Sequence, residues 1–163
     1  FQKIVLNEIL KLSKNIDISF EVSLEATHHG PLTGLPTTFI EIGSDKTYWG
    51  IKEAGEVIAS AIYNSLSYDQ NKTPFRVAAG IGGGHYCPKF TEIMINTDIA
   101  IGHVIAKYNT PVNESILSEL LLKSTDIDLI ILDWKGIKER SDLKDKLTNR
   151  DIPFVKASDI VKE

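Results

Sequence analysis

A single cysteine, Cys87, stands among 163 residues, so no disulfide can close within the chain, which fits a reducing compartment. No apolar run approaches the ~18 residues that a membrane-spanning helix needs, and the first residues lack a signal-peptide layout, so a cytoplasmic protein is expected. The Walker pattern G-x-x-x-x-G-K-[ST], the serine elbow G-x-S-x-G and the local zinc motifs H-E-x-x-H and C-x-x-C are all absent. An excess of positive charge is missing too. Lys and Arg total 18 against 22 for Asp and Glu, a net charge of −4, whereas a protein that grips a long stretch of phosphate backbone shows a basic face.

What is present suits one α/β domain spanning 1–163, since 42% apolar residues are enough for one sizeable core. Ile4, Val5, Ile9, Leu10 and Leu12 predict an amphipathic helix over about 1–15, and Ile51, Ala54, Val57, Ile58, Ala61 and Ile62 predict another over 47–66. Strands are expected at 18–25, 37–43, 75–79 and, with helix as the alternative, 99–106. Asn113 is placed to cap a helix through Leu121. Leu129-Ile-Ile-Leu132 reads as a strand buried on both faces, and a helix over about 139–149 with a short strand at 153–156 completes the pattern.

The chemistry-bearing stretch is Phe75-Arg-Val-Ala-Ala-Gly-Ile-Gly-Gly-Gly-His-Tyr-Cys-Pro-Lys-Phe-Thr-Glu92, an apolar strand running into four glycines and a histidine. It is not a dinucleotide fingerprint, because His85 stands where the third glycine belongs and Pro88 soon follows. Glycine clusters are also ordinary turn punctuation. A second segment, Phe20-Glu-Val-Ser-Leu-Glu-Ala-Thr-His-His-Gly-Pro31, repeats the layout of a strand that ends in a histidine-bearing loop. Two such ends fit the rule that open α/β sheets place their sites outside the carboxyl ends of strands.

Together with Phe39-Ile-Glu-Ile-Gly43, Ala100-Ile-Gly-His103, Lys107-Tyr108 and Asp133-Trp-Lys-Gly136, these two segments resemble the archaeal and plant type of D-aminoacyl-tRNA deacylase over nearly the whole chain. The resemblance implies a three-layer αβα fold of the phosphorylase and hydrolase type, with a mixed, largely parallel sheet. It implies a hydrolase that clears D-amino acids from mischarged tRNA in translation quality control, with the acceptor end of tRNA as partner, zinc as metal and a monomeric enzyme. Family members carry an upstream segment with further histidine motifs. The chain, opening at Phe1 without methionine, is therefore expected to be the C-terminal part of a longer protein, and the activity of this part alone stays open.

Within that frame, His85 or His28 is the candidate for water activation, as general base or as metal ligand, and the N–H groups of Gly82, Gly83 and Gly84 are candidates for an oxyanion hole. His28, His85 and Glu25 are the ligand types at hand for zinc, with Glu41 as an alternative carboxylate. Adjacent His28 and His29 on an extended segment point in opposite directions, so one of them, His28, is expected to reach the site. Thr27, His29, Gly80, Tyr86, Lys89, His103, Trp134 and Lys135 are the expected substrate-binding residues. His103 also suits a core position, Lys89 can meet a phosphate or solvent, and Trp134 can stack on a base or simply pack.

Cys87 reads as a small buried apolar residue rather than a nucleophile. The cations at 135, 138, 140, 144, 146 and 150 alternate with acids and read as a solvated helix face. The competing function is a phosphorylase-like enzyme or a nucleotide- or phosphate-binding module built on the same glycine loop.

Overall fold

The computed structural model describes residues 1–17, 20–28, 30, 34–43, 45–69, 74–124 and 126–161. They group into two compact units, Phe1–Val22 with His29–Thr73, and Ser23–His28 with Pro74–Glu163. In the first unit, α1 (Gln2–Ser13) packs on α3 (Lys52–Leu66), which follows the one-turn helix α2 (Lys46–Trp49). Asn64 donates to Glu8 across the α1–α3 pair at 3.0 Å, and this bond, with a second from Lys11, holds the Glu8 carboxyl below its usual range. The expected helix over 47–66 is broken because Ile51 takes an extended conformation after Gly50. No strand forms at 37–43.

The second unit is an α/β sheet. Its strands β1 (Arg76–Gly82), β2 (Ile99–Ile105), β3 (Leu129–Asp133) and β4 (Phe154–Lys156) lie in the order β2-β1-β3-β4, and every pairing is parallel. The α/β expectation therefore holds, while the antiparallel component of a mixed sheet is not found among the described residues. Of the expected strand at 18–25, residues 18 and 19 lie outside the described residues and 20–25 form no strand. Their neighbours dock instead through single bonds that cannot build a ladder: Leu24 N–H to the Thr91 hydroxyl, Ala26 N–H to the His85 carbonyl and Thr27 N–H to the Val104 carbonyl.

Helices cover both faces. α4 (Pro88–Asn96) and α7 (Ala157–Ile160) touch each other on one side. On the other, α5 (Glu114–Lys123) and α6 (Arg140–Asn149) send Leu117, Leu120, Leu143 and Leu147 into a buried cluster with Ala79, Ile81, Ile130 and Leu132. Fully burying each Leu or Ile contributes about 1.5–3 kcal/mol, which is why the β3 run carries no polar residue before Asp133. Asn113 caps α5 by accepting the Ile116 N–H at 2.8 Å. α4 has no counterpart among the expected elements. Pro88, which counted against a dinucleotide fingerprint, occupies its first turn, where the missing N–H costs nothing.

The connection from β1 to β2 runs to one side, and that from β2 to β3 passes back over β1 to the other. This reversal makes a switch point between β1 and β3, at whose carboxyl ends open α/β sheets place their sites. Gly82 and Asp133 face each other in register at that edge.

Candidate active site

The arrangement at the switch point follows from how β1 ends. Gly82 and Gly83 both have positive φ, +106° and +74°. At Gly82 a Cβ would lie 2.3 Å from the Asp133 carbonyl oxygen, so only glycine lets the strand turn there against β3. The Gly83 carbonyl accepts the Lys107 N–H at 3.0 Å and the Gly84 carbonyl accepts the Cys87 thiol at 3.1 Å. Held at these points, the turn delivers His85 to the surface.

The segment Ser23–His28 is tied to the same turn, since Ala26 N–H donates to the His85 carbonyl at 2.8 Å. As a result Glu25 Oε1 lies 3.3 Å from His85 Nε2, and Glu25 Oε2 lies 3.7 Å from His28 Nε2. The two imidazole rings stand 4.6 Å apart. His28 Nδ1 is 2.6 Å from the Ala26 carbonyl, which can only accept, so Nδ1 carries a hydrogen and Nε2 is the nitrogen that faces Glu25. Side-chain exposures of 25%, 32% and 41% for Glu25, His28 and His85 leave all three within reach of a ligand.

This trio fits a catalytic metal. One ligand atom from each residue lies within 4.8 Å of the others, a carboxylate with two imidazoles is a known zinc set with an open position, and the backbone carbonyl that fixes His28 is the usual outer support of a metal-bound histidine. Glu41 belongs to the other unit and is not part of the group.

Other expected site residues take different stations. Tyr86 is exposed and sets its ring edge-on to His85 at 4.8 Å. Thr27 is a fastener: its hydroxyl accepts the Val104 N–H at 3.1 Å and lies 3.4 Å from His103 Nδ1. Gly80 serves packing, because a Cβ there would lie 3.0 Å from the Phe90 ring, and it is buried beneath α4. Lys89 does not run free into solvent. It reaches Asp133 Oδ1 at 3.0 Å, so the first turn of α4 is clamped to the end of β3. Asp133 is the residue that local sequence reasoning missed as a partner; only the β1–β3 pairing puts it there. Trp134 is half-buried against the core under α5 and α6, and Lys135 is exposed. His29 lies outside the described residues.

Two groups are removed from chemistry by their surroundings. Burial pushes the Cys87 thiol up to about 12, and the negative charges of Asp133 and Glu25 add to it, so it stays protonated and serves as the left-handed residue that starts α4. His103 follows a bulge in β2 at Gly102, and burial holds its pKa below the ordinary range, only partly offset by a bond to the Lys123 backbone. Its folded form resists protonation, so stability is full above about pH 6.5 and declines as the pH falls through that ordinary histidine value. His103→Gln is expected to flatten this decline, read from denaturation midpoints between about pH 7 and pH 5; an unchanged slope would mean that His103 is not its source.

A sequence model of D-aminoacyl-tRNA deacylase matches residues 1–155. The chain belongs to the D-aminoacyl-tRNA deacylase family. It is 42% identical over 132 residues to the D-aminoacyl-tRNA deacylase of Thermococcus kodakarensis, covering 80% of this chain and 48% of that protein. With that of Pyrococcus furiosus it shares 40% over 152 residues, 91% of this chain and 55% of the relative. The Methanocaldococcus jannaschii deacylase is 41% identical over 123 residues, 73% and 47%. Among solved structures, a crystal structure described as a conserved protein of unknown function superposes with a TM-score of 0.86 at 30% identity, covering 99% of this chain and 57% of that one. The chain spans about half the length of the curated relatives it matches. No helix among the described residues is long and apolar enough to cross a membrane.

Proposed function

We propose that this deacylase-family chain carries the centre that hydrolyses the ester of D-aminoacyl-tRNA, releasing a D-amino acid and tRNA. The observation that carries the reading is the convergence of Glu25, His28 and His85 on the rim of a glycine turn at the sheet's switch point. In this mechanism a water oxygen attacks the ester carbonyl while an imidazole takes its proton: either His85, oriented through Nε2 by Glu25 and accepting at Nδ1, or His28, oriented through Nδ1 by the Ala26 carbonyl and accepting at Nε2. Backbone N–H groups of the Gly82–Gly84 turn stabilise the developing oxyanion. The carbonyl carbon then loses the ribose oxygen, which leaves with the proton. Where Glu25, His28 and His85 hold zinc instead, the imidazoles are ligands rather than the base, and the metal would supply polarisation of the carbonyl and a more acidic bound water.

The direct test incubates the chain, and the longest polypeptide containing it, with D-tyrosyl-tRNA and L-tyrosyl-tRNA. D-selective release of tyrosine is the expected result. Release from neither, with retention of free nucleoside or phosphate, would transfer the glycine loop to a nucleotide-pocket reading. Metal analysis is expected to return about one zinc per chain, lost on His28→Ala; less than about 0.2 per chain would count against a resident catalytic metal, which needs three protein ligands and an open position.

A further inference from the structure

The cations that alternate with acids in the sequence are sorted by the fold. Lys146 is committed to Asp142 and to the Val112 carbonyl, and Arg150 to Glu114. Arg140, which also donates its Nε–H to the Ile137 carbonyl at 3.1 Å, and Lys144 converge with Lys156 of β4 on one aromatic ring. Lys144 Nζ lies 4.9 Å, Arg140 Cζ 5.4 Å and Lys156 Nζ 5.6 Å from the centroid of Trp134. Among the described residues, neither Lys144 nor Lys156 forms an ion pair with a carboxylate. Cation–π attraction holds each of them to the ring at about 0.5–1 kcal/mol, yet it does nothing to cancel three like charges gathered in one place. In a chain of net charge −4, such a cluster is complementary to an anion.

Its position says which anion. Trp134 follows Asp133 directly, and Lys156 ends β4, so the cluster occupies the same carboxyl edge of the sheet as the glycine turn. With β1, β3 and β4 side by side at about 4.8 Å per strand, the end of β4 lies about 10 Å along the edge from the end of β1. That distance is the reach of about three stacked nucleotides at ~3.4 Å each. We infer that Arg140, Lys144 and Lys156, gathered around Trp134, bind backbone phosphates of the acceptor strand a few nucleotides before the reacting ester. This rests on the deacylase reading, and assigns it a substrate-binding surface outside the Glu25/His28/His85 centre.

The test uses uncharged tRNA as probe and measures its binding by anisotropy between 50 and 200 mM salt, concentrations over which phosphate contacts lose affinity steeply. K144E/K156E should weaken binding at least about tenfold and reduce the slope of log K against log salt by about 1.4, since each single-strand phosphate contact adds about 0.7. D-tyrosyl-tRNA deacylation by this variant should lose more through KM than through kcat. K11E/K52E, which changes the net charge equally in the other unit, serves as control, and circular dichroism checks folding of both. Equal weakening by the control, or an unaltered slope in K144E/K156E while the parent binds tRNA, overturns this inference alone. A parent that neither binds tRNA nor releases D-tyrosine overturns the deacylase reading and this one with it.

Discussion

Changing His85 to alanine is expected to lower D-tyrosyl-tRNA deacylation by about a hundredfold or more, about 2.7 kcal/mol in the barrier. The expectation follows from geometry. His85 is presented by a glycine turn, its Nε2 faces the Glu25 carboxylate at 3.3 Å, and its ring stands 4.6 Å from that of His28. Its role as base and its role as metal ligand separate in one further measurement. A variant that loses rate but keeps its zinc identifies His85 as the base, whereas loss of both identifies a ligand. Because His85 is partly exposed and closes no core contact, the melting temperature should move little. A variant that folds normally and turns over like the parent would remove His85 from the chemistry and leave His28, whose tautomer is set by the Ala26 carbonyl, as the base.

The second large effect concerns stability. Gly82→Ala is expected to destabilise the chain by about 3 kcal/mol or more, combining a disfavoured positive φ with a clash against a backbone carbonyl that cannot turn aside. Gly83→Ala keeps the positive φ but meets nothing closer than 3.5 Å, so only the left-handed strain of about 1–2 kcal/mol applies. Gly84→Ala meets no atom within 4 Å and has no positive φ, so it should stay within about 1 kcal/mol. Urea midpoints give the ranking. A flat series would mean that the turn does not press on β3 as described. The same comparison informs the mechanism: if Gly84→Ala leaves stability intact but lowers kcat, the backbone of the turn acts on the reaction rather than on the fold.

Residue pattern alone carried most of the regular elements of the second unit. The buried run at 129–132, the Asn113 cap and the strand before the glycines are local properties, set by hydrophobic burial, one side-chain acceptor and backbone freedom. Helix α4 has no counterpart in the expected elements, although Pro88 sits in its first turn, where a proline loses no bond. The expected strand at 18–25 failed over its described residues for a tertiary reason. Alternation proposes a strand, but a strand exists only when another backbone lies beside it, and Leu24, Ala26 and Thr27 find single acceptors instead.

For the site, the sequence by itself named the histidines and glycines, because residue types that carry protons or admit positive φ are few and visible. Which of them meet was decided by tertiary structure. Glu25 and His85, separated by sixty positions, come together because Leu24, Ala26 and Thr27 bond to Thr91, His85 and Val104, and Asp133 reaches Lys89 because β3 pairs with β1. The basic residues make the same point: a charge pattern along the chain fixes the net sign, whereas the direction each side chain takes from α6 and β4 determines whether those charges cancel or accumulate around Trp134.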